Sequence, residues 1–469
     1  MVRRHEVQLS ISQLILYGVV VPEPESLMDP VLRRIDELLE DESLVDEVLR
    51  ALRGRYPHSA RRGRRGTPAE VVLRLLVLKH LRQWSYDQLE REVQGSLVYR
   101  RFCRIDGGKV PDAKTMVRLG QLLDGGVLRG LFDRVVSMAV DKKVTAGRRM
   151  RIDTTVVEAN IHYPTDSGLC EDVVRVLRRG LKGLLDAGVK LAFRLHSVKR
   201  SVSRRMREIG RALKIRDRDA RSRALVKPYK GLLRVTGRLV RQAERASEAA
   251  RRQMSRMNEQ ARAAAAVVLA ELSKMIPRAR QVVRQTRARI VRGVTDSKGK
   301  LVSIFEPHAQ ILRRGKAHKP TEFGLMVKVQ ESENGIVTDI DLVPEAADAP
   351  LLVPAVERHI RVFGHAPSTA ATDRGFYSGE GEKRIRELGV RRAVIPKPGH
   401  RSDERIEYER QRWFRRGRSW RMGGEARISR LKHCFDMGRS RYRGEVGMKR
   451  TVLWAAIAND LAAVATRCR

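Results

Sequence analysis

Residues 148–159, Arg-Arg-Met-Arg-Ile-Asp153-Thr-Thr-Val-Val-Glu158-Ala, alternate in the manner of a strand, with Ile152, Thr154 and Val156 on one face and Asp153, Thr155 and Val157 on the other. From about Leu169 to Ile290 no strand pattern follows; the chain is Arg- and Ala-rich and reads as long helices. Strands resume at Leu301–Glu306, Glu322–Gln330 and Gly335–Val343. A sheet opened by one strand and completed only after a long helical stretch requires an α/β core interrupted by a large basic helical insertion. Pro228 and Pro277 predict breaks within that insertion, giving several helices packed as antiparallel hairpins.

The rest of the C-terminal half alternates helix and strand. A helix over Pro350–Phe363 precedes a strand over Pro367–Thr372, which delivers Asp373, and Gly375 lets the backbone turn sharply after it. A helix (Gly379–Leu388), a strand (Val390–Pro396) and an irregular basic linker lead to a helix bearing Glu425.

In that last helix, read as starting near residue 421, Glu425 follows Arg421 by four positions and precedes Lys432 by seven. At about 100° per residue the three lie within roughly 40° of one another. A carboxylate between two cations suits a site that holds a metal and grips phosphate; the alternative is an exposed salt-bridged face. One carboxylate cannot hold a catalytic metal pair, so further acids are required. Asp153 and Asp373 each stand in or at the end of a β-prone run, where an acid is unfavourable unless something binds it. Glu158, Asp166, Asp339 and Asp341 compete for the same role. The loop from Leu312 carries Arg313, Arg314, Lys316 and Lys319, and Arg374 follows Asp373 directly; these five are further candidate phosphate contacts.

Lys and Arg number 96 against 55 Asp and Glu in 469 residues, a net charge of +41. A compact chain so unbalanced repels itself unless it meets a polyanion, so DNA or RNA is the expected partner, with a ribosome-bound or membrane-surface protein as the alternative. Aromatic content of 5% argues against a base-stacking single-strand binder. Cys103, Cys170, Cys434 and Cys468 are scattered and imply neither a zinc site nor a disulfide framework. No apolar run reaches signal-peptide or membrane-span length, which predicts a cytoplasmic, nucleoid-associated protein that does not enter a membrane. A Walker-type glycine loop is absent, so NTP hydrolysis is not indicated.

The N-terminal segment, residues 1–130, is helical in pattern. The basic loop Arg61–Arg65 leads to Thr67-Pro68-Ala-Glu70, read as an N-cap, a first-turn proline and a capping box. Ser85 reads as a second cap, and Pro111-Asp112 opens another helix. With Arg100, Arg101 and Arg104 between helices, the unit could bind DNA by helix-turn-helix logic or serve as a packing domain.

The acids and their spacing resemble the DDE transposases of bacterial insertion sequences. In one branch of that family a late helix carries Tyr, two residues, Arg, three residues, Glu, six residues, Lys; Arg421, Glu425 and Lys432 match, and Arg418 stands at the Tyr position. The resemblance covers about Thr67 to Leu461. It implies an RNase H-like catalytic core, split between residues 145–168 and 294–469 around an insertion over 169–293, with Asp153, Asp373 and Glu425 binding two Mg²⁺ ions, for which Mn²⁺ substitutes. It implies an N-terminal domain that binds the element's ends, hydrolytic cleavage there, and attack of the freed 3′-hydroxyl on target DNA. Double-stranded DNA, as ends and target, is then the partner, and the protein acts as a homo-oligomer on it. An RNase H-like nuclease without strand transfer and a domesticated DNA-binding regulator are the alternatives.

Overall fold

The computed structural model describes residues 27–55, 66–105, 107–295, 299–313, 320–343 and 348–467. The basic loop Arg61–Arg65 and the candidates Arg314, Lys316 and Lys319 lie outside the described residues. The chain divides into two units, one of Met1–Ala159 with Leu325–Arg469, the other of Asn160–Gly324.

The first unit opens with α1 (Pro30–Leu38), α2 (Glu42–Arg53), α3 (Ala69–Arg82), α4 (Tyr86–Gly95), α5 (Leu97–Phe102), α6 (Ala113–Leu122) and α7 (Gly125–Asp141). Carboxylate or hydroxyl caps start most of them: Asp29, Asp41, Asp112 and Asp124 each accept backbone N–H bonds, and Ser85 forms a full capping box with Gln88. The capping box expected at Thr67 does not form. The helix begins at Ala69 without a side-chain cap, and Glu70 instead accepts from Arg74 Nε at 2.9 Å. Arg74 is wholly buried and also bonded to Asp36. A cap is worth about 1 kcal/mol, whereas a buried guanidinium left without its carboxylate costs about 3–5 kcal/mol, so Glu70 goes to the arginine.

Burial also pushes the ammonium of Lys79, which stands over the Tyr86 ring at 4.9 Å and the Tyr442 ring at 5.8 Å, from 10.5 down to about 8. Below pH 8 the group is charged in both states and the folded chain carries the whole desolvation penalty. Between 8 and 10.5 the unfolded chain holds a proton that the native one has shed, so stability rises with pH, by about 3 kcal/mol in total at 1.36 kcal/mol per unit. Relative to Lys79→Met, the wild type should therefore gain in urea midpoint as pH is raised from 7.5 to 10; a constant difference between the two would refute the burial argument.

β1 (Arg149–Glu158) lies at the centre of the sheet. β5 (Thr369–Ala371) runs parallel to it, with Met150 opposite Ala370, and β6 (Arg392–Val394) runs parallel to β5, with Ala370 opposite Ala393. On the other side of β1 is β3 (Glu322–Glu331), which pairs antiparallel with β4 (Val337–Val343). Alternation sorts the two faces. Met150, Ile152, Ala370 and Ala393 pack with Leu352, Val356 and Ile385 from α12 (Leu352–Phe363) and α13 (Gly379–Glu387). Ala371 and Val394 face Phe414, which belongs to α15 (Arg412–Cys434). The linker expected to be irregular contains α14 (Asp403–Arg410), capped by Ser402 and held by Arg405, which bonds both Glu382 and Glu409. The chain ends in α16 (Gly444–Arg467), buried on nearly all sides against α1, α3, α7 and β4.

The second unit consists of α8 (Asp166–Asp186), α9 (Lys199–Ala212), α10 (Arg218–Gln253) and α11 (Glu259–Arg292), whose apolar faces form one core. Pro228 and Pro277 do not break helices as expected; each lies inside one. The breaks fall before the side-chain caps Asp217 and Asn258. An internal proline costs about 3 kcal/mol, and the continuous apolar face of each long helix outweighs it. Residues 301–306 are likewise not a strand. Leu301 and Ile304 join the helical core, and their backbone groups bond Gln285 and Arg278 of α11 rather than a neighbouring strand. A short β2 (Gln310–Leu312) pairs antiparallel with the first residues of β3.

Candidate active site

On the face of β1 opposite the aliphatic core, Arg151 and Asp153 point towards α15. Arg151 bonds Glu331 of β3 at 2.9 and 2.7 Å, donates to the Trp420 carbonyl and stacks on the Trp420 ring at 4.8 Å, tying strand to helix. The helix can lie this close because of its glycines. A Cβ at Gly417 would stand 2.5 Å from Cγ2 of buried Val394, and one at Gly423 would stand 2.7 Å from Nη1 of Arg151.

This docking sets Arg421 over the sheet. Its Nη2 lies 2.8 Å from Oδ2 of Asp153 and 3.8 Å from Oδ2 of Asp373, and its Nη1 lies 3.3 Å from Oε1 of Glu425. One guanidinium thus touches all three acids singled out from the sequence, which come from β1, the end of β5 and α15. Asp153 is the most enclosed, its side chain 14% exposed, and Glu425 the most open at 72%. Asp373 caps the turn Arg374–Phe376, accepting from the Gly375 N–H at 2.9 Å. Arg421, expected to contact phosphate, is engaged by the acids themselves.

A further carboxylate was missed. Asp348 accepts from Oγ1 of Thr154, the residue after Asp153, at 3.1 Å. Its Oδ2 and Oδ1 of Asp373 lie 3.0 and 3.1 Å from where a side chain at Gly375 would begin, so the two acids flank the same glycine. Flanked by alanines and a proline, Asp348 carries no periodic signal in the sequence.

Three of the four competing acids pair with cations elsewhere. Asp339 is buried between Lys328 Nζ at 2.6 Å and Arg129; burial raises its pKa, but the two cations outweigh that and leave it lowered. Asp166 pairs with Arg289 at 2.8 Å in the helical unit, Asp341 lies 3.6 Å from Lys449, and the backbone of Glu158 bonds Gly438 and Ser440. Of the cations, Lys432 is half-buried on α15 beyond Glu425, while Arg374, Arg313 and Arg418 are exposed.

Among the described residues no group of three or more His, Cys, Asp or Glu stands as a preformed metal cage. Carboxylate oxygens, the kind of donor a hard divalent cation takes, come here from three elements and are gathered round one guanidinium. Among the described residues no helix is long and apolar enough to cross a membrane.

No curated protein and no solved structure matches the chain. Residues 22–121, which include α1 to α5 and nearly all of α6, match the family described as transposase domain (DUF772), a similarity that implies a transposase, an enzyme acting on DNA.

Proposed function

We propose that the chain is a DDE transposase with an RNase H-like core, which cleaves at the ends of its element and joins the 3′-hydroxyl ends to target DNA. The observation that carries this reading is the convergence of Asp153, Asp373 and Glu425 on the Arg421 guanidinium. The order of elements supports it: an acid on the first strand, an acid after β5, which is the fourth long-range strand if the short β2 is set aside, and a glutamate on a late helix. So does the similarity of residues 22–121 to a transposase domain.

In this reading Asp153, Asp373 and Glu425 hold Mg²⁺ or Mn²⁺. Such ions, when bound, supply an activated water and neutralise charge on the phosphate under attack. The chain's own residues prepare the place. β1 and the Asp348–Thr154 bond fix Asp153, the Gly375 N–H orients Asp373, and exposed Glu425 is free to change rotamer. Among the described residues Arg421 pairs with all three acids and offsets their charge. Lys432, about 10 Å further along the helix at 1.5 Å per residue, reaches the DNA beside the scissile phosphate and not Glu425. Arg374, Arg313, Arg314, Lys316 and Lys319 add phosphate contacts. The test is a plasmid carrying the coding sequence with its flanking DNA. Excised ends joined to new sites support the proposal; cutting without joining would make the chain a nuclease, and neither would leave a DNA-binding regulator.

Arg421 and a divalent ion compete for the same oxygens, so the guanidinium should weaken metal binding. Arg421→Gln is expected to unfold at lower temperature without metal, its acids being uncompensated, and to gain more from Mg²⁺ than the wild type does. A tenfold tighter site is worth about 1.4 kcal/mol at saturating ion, a few degrees in melting temperature. Equal Mg²⁺-induced shifts in the two proteins would show that the ion does not bind at these acids.

A further inference from the structure

α10 carries its charge on one side. Lys227, Lys230, Arg234, Arg238, Arg241 and Arg245 recur at steps of three and four residues, and all six are exposed. At about 100° per residue they fall within an arc of roughly 80°, and at 1.5 Å per residue they run for about 27 Å. The opposite side is the core of the helical unit: Tyr229, Leu232, Leu233, Leu239, Val240 and Ala243 are buried. The six are therefore a ridge fixed in place by the packing behind it.

On its own helix the exposed acid nearest the ridge is Glu248, past its C-terminal end, three positions after Arg245. Between residues 227 and 245 the one acid is Glu244, which is half-buried and bonded to Arg280 of α11 at 2.6 Å. Among the described residues none of the six makes an ion pair. Like charges three and four positions apart on a helix each cost about 0.2–0.5 kcal/mol. A merely solvated face would interleave acids, as α9 does where Glu208 bonds Arg204 and Arg205.

We infer that this ridge is a docking surface for the sugar-phosphate backbone of duplex DNA, binding without regard to sequence. The complementary partner is a linear polyanion with charges every few ångströms; a duplex presents one per about 1.7 Å of axis, and about 27 Å spans most of one helical turn. No aromatic side chain is exposed among the six, so the platform that single strands need is missing. The inference rests on the proposed function only for the choice of DNA over other polyanions.

The test uses full-length protein carrying Asp153→Ala, so that binding is read without cleavage, and a random-sequence duplex titrated over a range of salt. Each phosphate contact contributes about 0.9 to the slope of log affinity against log salt. Replacing Lys230, Arg234, Arg238 and Arg241 together by Gln should lower the slope by about 2–4, and each of the doubles Lys230→Gln/Arg234→Gln and Arg238→Gln/Arg241→Gln by about half of that. Circular dichroism controls the fold, and the doubles serve if the quadruple variant does not fold. An unchanged slope in folded variants would overturn the inference, as would tighter binding of an RNA duplex than of DNA. Because the measurement bypasses the acids, a failure of the catalytic reading leaves it unaffected.

Discussion

Asp153→Asn, Asp373→Asn and Glu425→Gln are each expected to abolish metal-dependent DNA cleavage while leaving affinity for duplex DNA nearly unchanged. Each amide keeps the shape of the acid but removes a charged oxygen from the set that would hold the ions, and a loss of about 10³-fold or more corresponds to about 4 kcal/mol of transition-state stabilisation. Binding is spread over many phosphate contacts and does not depend on any one of these side chains. The three differ in a way that makes the experiment informative. Asp153 is largely enclosed and bonded to Arg421 at 2.8 Å, so its amide should also lower the melting temperature. Glu425 is 72% exposed, with a 3.3 Å contact to Arg421, and an exposed pair of this kind is worth well under about 1 kcal/mol. Glu425→Gln should therefore be a stable protein that does not cut. Metal-dependent cleavage by that variant would remove Glu425 from the site.

The local contexts that single out Asp153 and Glu425 can be read from the sequence. Asp153 interrupts a β-branched run, and the alternation that places it opposite Ile152 is the alternation that turns it towards α15. Arg421 and Glu425 meet because residues four apart on a helix are neighbours. What the sequence does not carry is the third dimension: that the same guanidinium reaches Asp153 and Asp373 depends on how α15 lies on the sheet. Asp348 was illegible for a like reason, its role arising from Thr154 and Gly375, which are distant along the chain.

The errors in the fold have the same source. Leu301-Val-Ser-Ile-Phe reads as a strand by composition, but its backbone partners are the Gln285 and Arg278 side chains, which no local pattern announces. Pro228 stays helical because Tyr229, Leu232 and Leu233 bury the face around it. α16 is buried on nearly all sides, so it lacks the period that identifies a surface helix. α14, by contrast, is rich in charge and has no apolar face; its ion pairs with Glu382 hold it.

Gly417→Ala is expected to reduce activity by about 100-fold through a residue two turns from the nearest acid. The added methyl would start 2.5 Å from Cγ2, 3.1 Å from Cγ1 and 3.2 Å from Cβ of Val394, which is fully buried on β6. Val394 is on the edge strand but is wholly buried, between β5 and the helix, so the helix is the part that must give. Overpacking of this kind costs about 1–3 kcal/mol, offset in part by the roughly 1 kcal/mol that alanine gains over glycine in a helix interior. Lifting α15 by about 1 Å carries Arg421 and Glu425 away from Asp153 and Asp373, and a misplacement of that size is worth about 10² in rate. The decisive variant is the pair Gly417→Ala with Val394→Ala, in which the new methyl occupies the space that the valine methyls leave. Its stability and cleavage should exceed what the two single changes predict together, with a coupling of at least about 1 kcal/mol. Strictly additive losses would show that the close approach of α15 to β6 does not set the position of Glu425.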